Sequence, residues 1–441
     1  MAKKWICRLA LTLAGMWLLA PAAAAQDLQT LHKEPVLPRY QTEMEKKQSE
    51  EVLGGLYIWE CFPTLAGFTE RPPKTARFPG EFEQTNGVFY GWPIYGCQMP
   101  ELTELIRNSI GNVPTTVLVP SAQRFAAEAC LRGREFTDEQ IALIDWQIIP
   151  LDGVWIRDYG QEVLRDADGS QLFVDMGYYS GPSAGCVSFP GRPNDDVSPT
   201  RYAPAFGVNV YRPQLRTEGG NLTTDGAGTC FHNQRMVLQQ NQFSRWSYTQ
   251  EQLDDVYRQY YNCPNVVTLE SLMRDPFGFQ VIDHIDMTTT FISPTKVLHG
   301  QYDPADDPVN AAILDQNAEL LTSLGYNVVR IPMPKPYCTL RTGSCIAQPG
   351  SARECGGGGL DRVWATYANS MRVGSKMLVP VYRDVPESMR KIIEQQEAMA
   401  LAIYQAELDA EYGKGVVQVV PIIADWMIPC QGTLHCIAMT Y

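Results

Sequence analysis

The residues best suited to chemistry are a cysteine near the C-terminus and a histidine about 150 positions upstream. Cys436 closes the segment GTLHC (432–436), and His284 lies at the centre of DHIDM (283–287). A thiolate is a strong nucleophile and an imidazole can move protons near neutral pH, so the pair suggests covalent catalysis. If 283–287 is a strand, its alternation places His284 and Asp286 on one face. A purely structural histidine–aspartate pair is the alternative.

The reactivity of Cys436 depends on whether it is bonded to another cysteine. The chain has 12 cysteines, and one of them, Cys7, lies in a predicted leader. An odd number therefore remains, which leaves at least one free thiol in an exported protein. Because neighbouring residues of a strand face opposite ways, His435 is poorly placed to deprotonate Cys436, and His284 is the predicted base. A Cys430–Cys436 disulfide is the alternative.

Two further segments carry carboxylates next to glycines. WIRDYG (155–160) is predicted as a strand that ends at a glycine, which places Asp158 at the rim of a sheet. Glu218 begins EGGN, which is followed by the glycine-rich stretch 225–228, where the backbone can approach a ligand closely. Phosphate binding would need a basic residue and a helix start after the glycines, and this sequence has neither.

Two other patterns have a structural interpretation beside the chemical one. GPSAG (181–185) matches the nucleophile motif of serine hydrolases, but no helix pattern follows it, so we interpret it as a turn. The segment 338–359 holds three cysteines and ends in four glycines, which predicts a surface loop held by disulfides. A zinc site is its alternative, although no Cys-x-x-Cys spacing or nearby histidine completes one.

The elements that must position these residues alternate between short strands and helices. Strands are predicted at 87–92, 115–120, 146–151, 153–157 and 172–176, and later at 326–331 and 416–423. Helices are predicted at 251–261, 307–324 and 387–412.

The later part of the chain also contains an internal repeat. Hairpins predicted at 290–302 and 369–382 resemble each other, and 233–238 is a candidate third copy. The pattern indicates a degenerate strand-strand-helix-strand unit that buries its apolar face only against its neighbours, for which a closed ring is the simplest arrangement.

Length and charge limit the class of protein. The chain has 441 residues, of which 45% are hydrophobic, and a formal net charge of −13, which argues against a nucleic-acid partner and favours a small cationic one. Residues 1–25 have the basic start, short apolar run and small-residue end of a signal peptide. Residues 26–75 are predicted as a polar N-terminal extension and 76–441 as the folded domain. No later apolar stretch is long enough to cross a membrane.

Taken together, these segments resemble the Porphyromonas-type peptidylarginine deiminase family, which also contains the agmatine deiminases. The matching segments occur in the order found in that family: 81–93 (EFEQTNGVFYGWP), 155–160 (WIRDYG), 191–196 (GRPNDD), 218–229 (EGGNLTTDGAGT), 283–287 (DHIDM), 367–370 (YANS) and 432–436 (GTLHC). The resemblance implies an α/β fold in which five pseudo-repeated units form a propeller, the pentein fold, around a central active site.

The resemblance also implies roles for individual residues. Cys436 matches the nucleophile and His284 the general acid and base, whereas Asp158 and Asp286 match the carboxylates that hold a guanidinium. Asn369 matches an active-site asparagine.

Three more positions match residues that contact the substrate in the family. Trp155 matches a side chain along the substrate stem, and Glu218 a carboxylate near the histidine. Arg192 matches a substrate-binding arginine, but Pro190 stands where the peptidylarginine enzymes have a second one, so recognition of a C-terminal carboxylate does not carry over.

The chemistry explains why these residue types are needed. A guanidinium is planar and has five N–H donors, so two carboxylates can grip it and align its carbon with a sulfur. The expected enzyme is an exported deiminase, secreted or periplasmic, that converts the guanidinium of free or peptidyl arginine into a ureido group without a metal or organic cofactor. Agmatine is the alternative substrate. A papain-like cysteine hydrolase and a non-catalytic binding protein with a disulfide-bonded Cys436 are the alternatives of other classes.

Overall fold

A computed structural model describes residues 36–39, 42, 45, 69–83, 85–178, 192–233, 248–273, 284–340, 345, 350–356 and 360–441. The predicted leader, most of the extension 26–75, the GPSAG segment and all but the first residue of the third repeat copy lie outside this part.

Strands and helices alternate along the described chain. The strands are β1 (Val88–Gly91), β2 (Thr115–Val119), β3 (Ile144–Ile148), β4 (Glu162–Arg165), β5 (Gln171–Val174), β6 (Asn209–Tyr211), β7 (Thr223–Thr224), β8 (Thr229–Asn233), β9 (Asn265–Leu269), β10 (Thr289–Ser293), β11 (Lys296–Gln301), β12 (Asn327–Pro332), β13 (Tyr337–Leu340), β14 (Leu360–Val363), β15 (Met371–Val373), β16 (Lys376–Val381), β17 (Gln418–Ile423) and β18 (Ala438–Thr440). The helices are α1 (Pro100–Ser109), α2 (Arg124–Gly133), α3 (Asp138–Ala142), α4 (Ile156–Tyr159), α5 (Pro193–Asp196), α6 (Ser198–Phe206), α7 (Gln250–Tyr260), α8 (Pro308–Ser323) and α9 (Arg390–Tyr412).

Within the described ranges, the strands form five mixed sheets of one pattern and one separate hairpin, β13–β14. In each mixed sheet an antiparallel pair is followed by a parallel neighbour, as in β10–β11–β12 and β15–β16–β17. The other three are β4–β5–β6, β7–β8–β9 and β18–β1–β2–β3. The predicted repeat of two hairpins, each followed by a helix and a parallel strand, is therefore present. The α/β class is confirmed.

The three predicted helices form because their ends carry suitable capping residues. α7 begins after Thr249, whose hydroxyl accepts a hydrogen bond from the Gln252 backbone N–H in a capping box. At the start of α8, the carboxylate of Asp307 accepts a hydrogen bond from the Asn310 backbone N–H. α9 ends at Gly413, where φ is 99°, a conformation that glycine adopts without steric cost. The apolar faces of these helices pack against the sheets.

One predicted strand is wrong. Residues 153–157 are not extended, because the chain turns at Gly153 and enters the short helix α4. The hydroxyl of Tyr159 donates a hydrogen bond to the Gly153 carbonyl at 2.9 Å, which closes this compact turn. Asp158 is therefore buried inside the protein rather than placed at a solvated rim.

Disulfides hold several of the loops. Cys97–Cys130, Cys230–Cys263, Cys338–Cys355 and Cys345–Cys430 are bonded, so the prediction of a stapled loop at 338–359 is confirmed and its zinc alternative is wrong. Among the described cysteines, Cys436 is the free one. The alternative Cys430–Cys436 disulfide is wrong, since Cys430 pairs with Cys345. None of the described helices has the length and apolar character needed to span a bilayer.

Candidate active site

The candidate site is built from the connections between consecutive sheets. Asp158 lies between β3 and β4, and Glu218 between β6 and β7. His284 and Asp286 lie between β9 and β10, Asn369 between β14 and β15, and Cys436 between β17 and β18. Each sheet thus ends on the same small volume, and the short α4 contacts the turns at 219–221 and 435–437 directly.

A guanidinium from the chain itself lies at the centre of these groups. Arg39 is 4% exposed, and its Nε and Nη2 donate to the two oxygens of Asp158 at 3.0 Å each. Nη2 also lies 3.3 Å from both oxygens of Asp286 and contacts Nδ1 of His284. The bidentate grip by Asp158 is the geometry that a planar cation with paired N–H groups requires.

The sulfur faces the same guanidinium. Arg39 Nη1 lies 2.9 Å from the Sγ atom of Cys436, which is itself 3.3 Å from Asn369 Oδ1 and 3.6 Å from Asp286 Oδ2. Burial raises the pKa of the Cys436 thiol well above its ordinary value, whereas the charge of Arg39 opposes this and the nearby carboxylates add to it. A cation beside the sulfur therefore lowers the pKa of this buried thiol relative to the same site without one.

The imidazole of His284 is held on its other side by Glu218. His284 Nε2 lies 2.6 Å from Glu218 Oε2, which leaves Nδ1 directed at Asp158 Oδ1, 3.6 Å away, and at the guanidinium. A Cβ atom on Gly220 would lie 2.7 Å from His284 Nδ1 and 2.9 Å from Asp158 Oδ1, so only glycine leaves room for the cation here.

The two carboxylates that grip the cation have opposite environments. Burial raises the pKa of Asp158, although Arg39 and His284 act against it. Burial also opposes ionisation of Asp286, but the charge of Arg39 and then the hydrogen bond and charge of His435 hold its pKa well below the usual range. The bound cation thus favours ionisation of both carboxylates, and Asp286 has the additional support of His435 behind it.

Sequence reasoning missed a layer of charges behind Asp286. His435 Nδ1 lies 3.0 Å from Asp286 Oδ2, and its Nε2 lies 2.6 Å from Glu81 Oε2. Glu81 also pairs with the buried Arg157, whose Nε donates to the Ala438 carbonyl. All three residues lie in segments already quoted for the family resemblance, but nothing in the local sequence shows that they meet.

The environment of His435 predicts that the stability of the folded protein depends on pH. The hydrogen bonds and charges of Glu81 and Asp286 raise the pKa of His435 against the opposing effects of burial and Arg157. A histidine whose pKa is raised on folding stabilises the folded state. This contribution is fully present below the unfolded pKa of about 6.5, and it is lost as the pH rises through the folded pKa. We expect the melting temperature of the wild type to fall across this window and that of His435→Gln to change less. Equal slopes for the two proteins would contradict this.

The remaining predicted residues are placed as follows. Asn369 is at the site, where its Oδ1 also accepts the His435 backbone N–H at 3.1 Å. Trp155 is fully buried and donates from Nε1 to the Leu37 carbonyl, so it contacts the chain that carries Arg39. Arg192 is buried and paired with Glu45, with Nε 2.9 Å from Oε1.

The structure brings the predicted residues together through local conformations that differ from the expected ones. His284 precedes a 3-10 turn over Ile285–Met287, so strand alternation is not what orients it and Asp286 toward the same cation. Cys436 likewise lies in a 3-10 turn, His435–Ile437, rather than in a strand. The two nitrogens of His435 contact Asp286 and Glu81, and among the described contacts neither is paired with the thiol of Cys436.

One subset of these side chains could hold a cation other than a guanidinium. Asp158, Glu218 and His284 offer ligand atoms that all lie within 4.8 Å of one another. The close contact of Glu218 with His284, and the Arg39 guanidinium against Asp158, already satisfy these donors. The geometry therefore suits an organic cation, and we expect no metal or organic cofactor to take part.

Comparisons with known proteins give a family match over most of the chain. Residues 77–441 match the sequence model of the Porphyromonas-type peptidyl-arginine deiminase family. A Vibrio parahaemolyticus protein assigned as an agmatine deiminase is 23% identical over 376 residues, which cover 82% of this chain and 95% of the relative.

Solved structures are similar in fold. The agmatine deiminase of Enterococcus faecalis superposes with a TM-score of 0.64 at 20% identity, covering 84% of this chain and 99% of that one. The structure assigned as an arginine deiminase from Porphyromonas gingivalis gives a TM-score of 0.61 at 20% identity, over 83% of this chain and 98% of its own. The chain thus has the α/β fold of the pentein-type deiminases.

Proposed function

Because the chain belongs to the Porphyromonas-type peptidyl-arginine deiminase family, we propose that it hydrolyses the guanidinium of peptidyl or free arginine to a ureido group and ammonia. Family membership makes it a hydrolase of the deiminase type, which acts on a guanidino group. The observation that carries the proposal is the position of the Arg39 guanidinium, gripped by Asp158 and Asp286 with one nitrogen 2.9 Å from the sulfur of Cys436.

The proposed reaction begins with the bound cation. The guanidinium favours ionisation of Cys436, and the thiol proton passes to His284. The sulfur then forms a bond to the guanidinium carbon, and the C–N bond to one terminal nitrogen breaks as His284 returns the proton to the departing ammonia. The product of this half is a thiouronium joined to Cys436.

Water completes the cycle. His284 takes a proton from a water molecule, whose oxygen bonds to the thiouronium carbon. The C–S bond then breaks as the added hydroxyl loses its proton to form the neutral ureido carbonyl. Of the two protons taken from water, one returns to the sulfur and the other leaves with the ammonia as ammonium. The contact between His284 Nε2 and Glu218 supports this role, because it keeps the ring oriented with Nδ1 toward the reacting group in both halves.

Agmatine is the alternative substrate. The names of the relatives from Vibrio and Enterococcus favour it, and agmatine carries the same guanidinium. A second alternative, peptide hydrolysis by Cys436 and His284, has less support, because a peptide bond carries no charge for the two carboxylates to hold.

We also propose that the protein is exported and that its five mixed sheets are the blades of a ring. The predicted leader at 1–25 and the disulfides formed by the described cysteines support a secreted or periplasmic location, where such bonds persist. The repeated sheet pattern supports the ring, as does the contribution of each connection between mixed sheets to one site.

A substrate panel tests the proposed function. Ureido product and ammonia are measured with free arginine, agmatine and peptides with internal or C-terminal arginine. We expect product from an arginine compound, no peptide cleavage, and loss of activity by at least about 10⁴-fold in Cys436→Ala, since the covalent step needs the sulfur. Undiminished product from Cys436→Ala would refute the mechanism. Product from agmatine alone would refute the arginine preference but leave the chemistry intact.

A further inference from the structure

Arg39 belongs to a stretch of chain that fills the cleft, which we call the N-terminal segment and define by the described residues 36–39, 42 and 45. Resting on the proposed function, we infer that the cleft binds an arginine inside a peptide chain, and that the N-terminal segment is its intramolecular ligand. This segment precedes residue 77, where the match to the family begins, so the family does not account for it.

The first support is a pair of hydrogen bonds to the main chain beside Arg39. Trp155 Nε1 donates to the Leu37 carbonyl at 2.8 Å, and the Arg39 N–H donates to the Cys430 carbonyl at 3.1 Å. Trp155 is fully buried, and Cys430 is anchored by its disulfide to Cys345. Both partners are therefore rigid, and they recognise peptide groups of any sequence. Agmatine has no peptide group to offer them.

The second support is apolar burial on the N-terminal side of the arginine. Val36 is 3% exposed and belongs to the main hydrophobic cluster, and Leu37 packs against the same cluster. Burying an aliphatic side chain of this size stabilises by about 1.5–3 kcal/mol. The cleft therefore extends beyond the guanidinium pocket and binds apolar residues before the arginine.

The third support lies on the C-terminal side, where the chain continues to a second ion pair. Glu45 is 1% exposed, and its Oε1 and Oε2 lie 2.9 Å and 3.3 Å from Nε and Nη2 of Arg192. Thr42 donates to the same Oε2 from its backbone N–H and hydroxyl at 2.8 Å and 2.9 Å. Arg192 thus binds a carboxylate six residues after Arg39. This carboxylate belongs to a side chain and not to a chain terminus.

These contacts have a consequence for activity. An external substrate needs the same Asp158 and Asp286 oxygens that Arg39 now occupies. A tethered ligand competes at an effective concentration on the order of 1 mM. If the segment fills the site nine-tenths of the time, the apparent affinity for an external substrate falls about tenfold. The full chain is therefore partly autoinhibited for as long as the Arg39 guanidinium is intact, since the proposed reaction would convert it to a ureido group that the two carboxylates no longer hold as a cation.

Binding in trans tests the inference without any catalysis. The peptide EPVLPRYQTEME, with the sequence of residues 34–45, is titrated calorimetrically into the double variant Arg39→Ala/Cys436→Ala. We expect it to bind at least about tenfold more tightly than agmatine and than the same peptide with alanine in place of its arginine. Equal binding of the two peptides, or binding no tighter than agmatine, would overturn the inference.

Kinetics of the full chain provide a second test of the inference. Arg39→Ala is expected to raise kcat/KM for an external guanidino substrate about tenfold. Arg39→Lys keeps a positive charge beside the buried carboxylates, so the fold should be retained. Because lysine lacks the planar, paired N–H donors of arginine, this variant should raise kcat/KM by a smaller factor than Arg39→Ala. Arg132→Ala, which removes a half-exposed arginine far from the site in sequence, serves as control. Unchanged kcat/KM in both Arg39 variants would refute autoinhibition.

The two proposals fail in distinguishable ways. If the peptide binds tightly but no guanidino compound releases ammonia, the proposed reaction is wrong and peptide recognition stands. If Arg39→Ala turns over guanidino compounds but the peptide does not bind, the reaction stands and peptide recognition is wrong.

Discussion

Asp158→Asn is expected to lower kcat/KM for the preferred guanidino substrate by about 10³. The carboxylate accepts two N–H groups of the guanidinium at 3.0 Å in a buried site, whereas an asparagine offers one neutral oxygen and turns an amide N–H₂ toward the cation. Loss of one partner of a buried charge pair costs about 2–5 kcal/mol, and about 4 kcal/mol corresponds to 10³. Initial rates of ammonia release at subsaturating substrate measure the effect.

Asp145→Asn is the matched control for this substitution. Asp145 is exposed on β3, and the same chemical change there should leave kcat/KM within about twofold of wild type. The melting temperatures of both variants show whether a lower kcat/KM reflects weaker substrate binding or loss of the folded structure. A similar kcat/KM for Asp158→Asn and wild type would show that Asp158 does not bind the substrate cation.

The second large effect is expected for His284→Gln, with a loss of kcat of about 10²–10⁴, the usual contribution of a general acid and base. Glutamine can still form a hydrogen bond to Glu218, but it cannot carry the proton to ammonia or take one from water. Rates measured between about pH 5 and 9 should also lose the limb that reports ionisation of the imidazole.

Glu218→Gln separates positioning from proton transfer. Glu218 lies 2.6 Å from His284 Nε2 and acts through the imidazole, so its substitution should shift the pH profile and reduce kcat less than His284→Gln does. A His284→Gln enzyme with wild-type kcat would contradict the assignment of His284. A Glu218→Gln profile identical to wild type would contradict the positioning role of Glu218.

The electrostatics of the site explain why it needs a cation at all. Asp158, Asp286 and Cys436 are all buried, and two carboxylates and a thiolate cannot all be charged in one apolar volume without compensation. A guanidinium supplies the compensating charge and five N–H donors at once. In the proposed reaction, binding of the substrate cation therefore also promotes ionisation of the nucleophile.

Much of the fold was predictable from local patterns. The helices capped by Thr249 and Asp307 and the two matching hairpins follow from capping preferences and from strand alternation, which act over a few residues. The strand predicted at 153–157 was wrong because a hydrogen bond from Tyr159 to Gly153 and burial of the whole turn outweigh the propensity of its residues.

The site was predictable only in part. The residue types of Cys436 and His284 suggested covalent catalysis, and the resemblance of the ordered motifs to a deiminase family implied that Asp158 and Asp286 hold a guanidinium. Their orientation was derived from strand alternation, whereas 3-10 turns and a short helix are what direct them to one point.

The sequence by itself thus determined the repeat and the alternation of strands and helices, since each depends on residue type and short-range spacing. Its ordered motifs also carried the family resemblance that implies the class of chemistry. The tertiary structure alone decided that Cys430 pairs with Cys345, that His435 supports Asp286, and that Arg39 enters the pocket. These contacts join residues 85, 149 and 397 positions apart. Only the folding of the whole chain brings such distant residues together, and no local pattern carries that information.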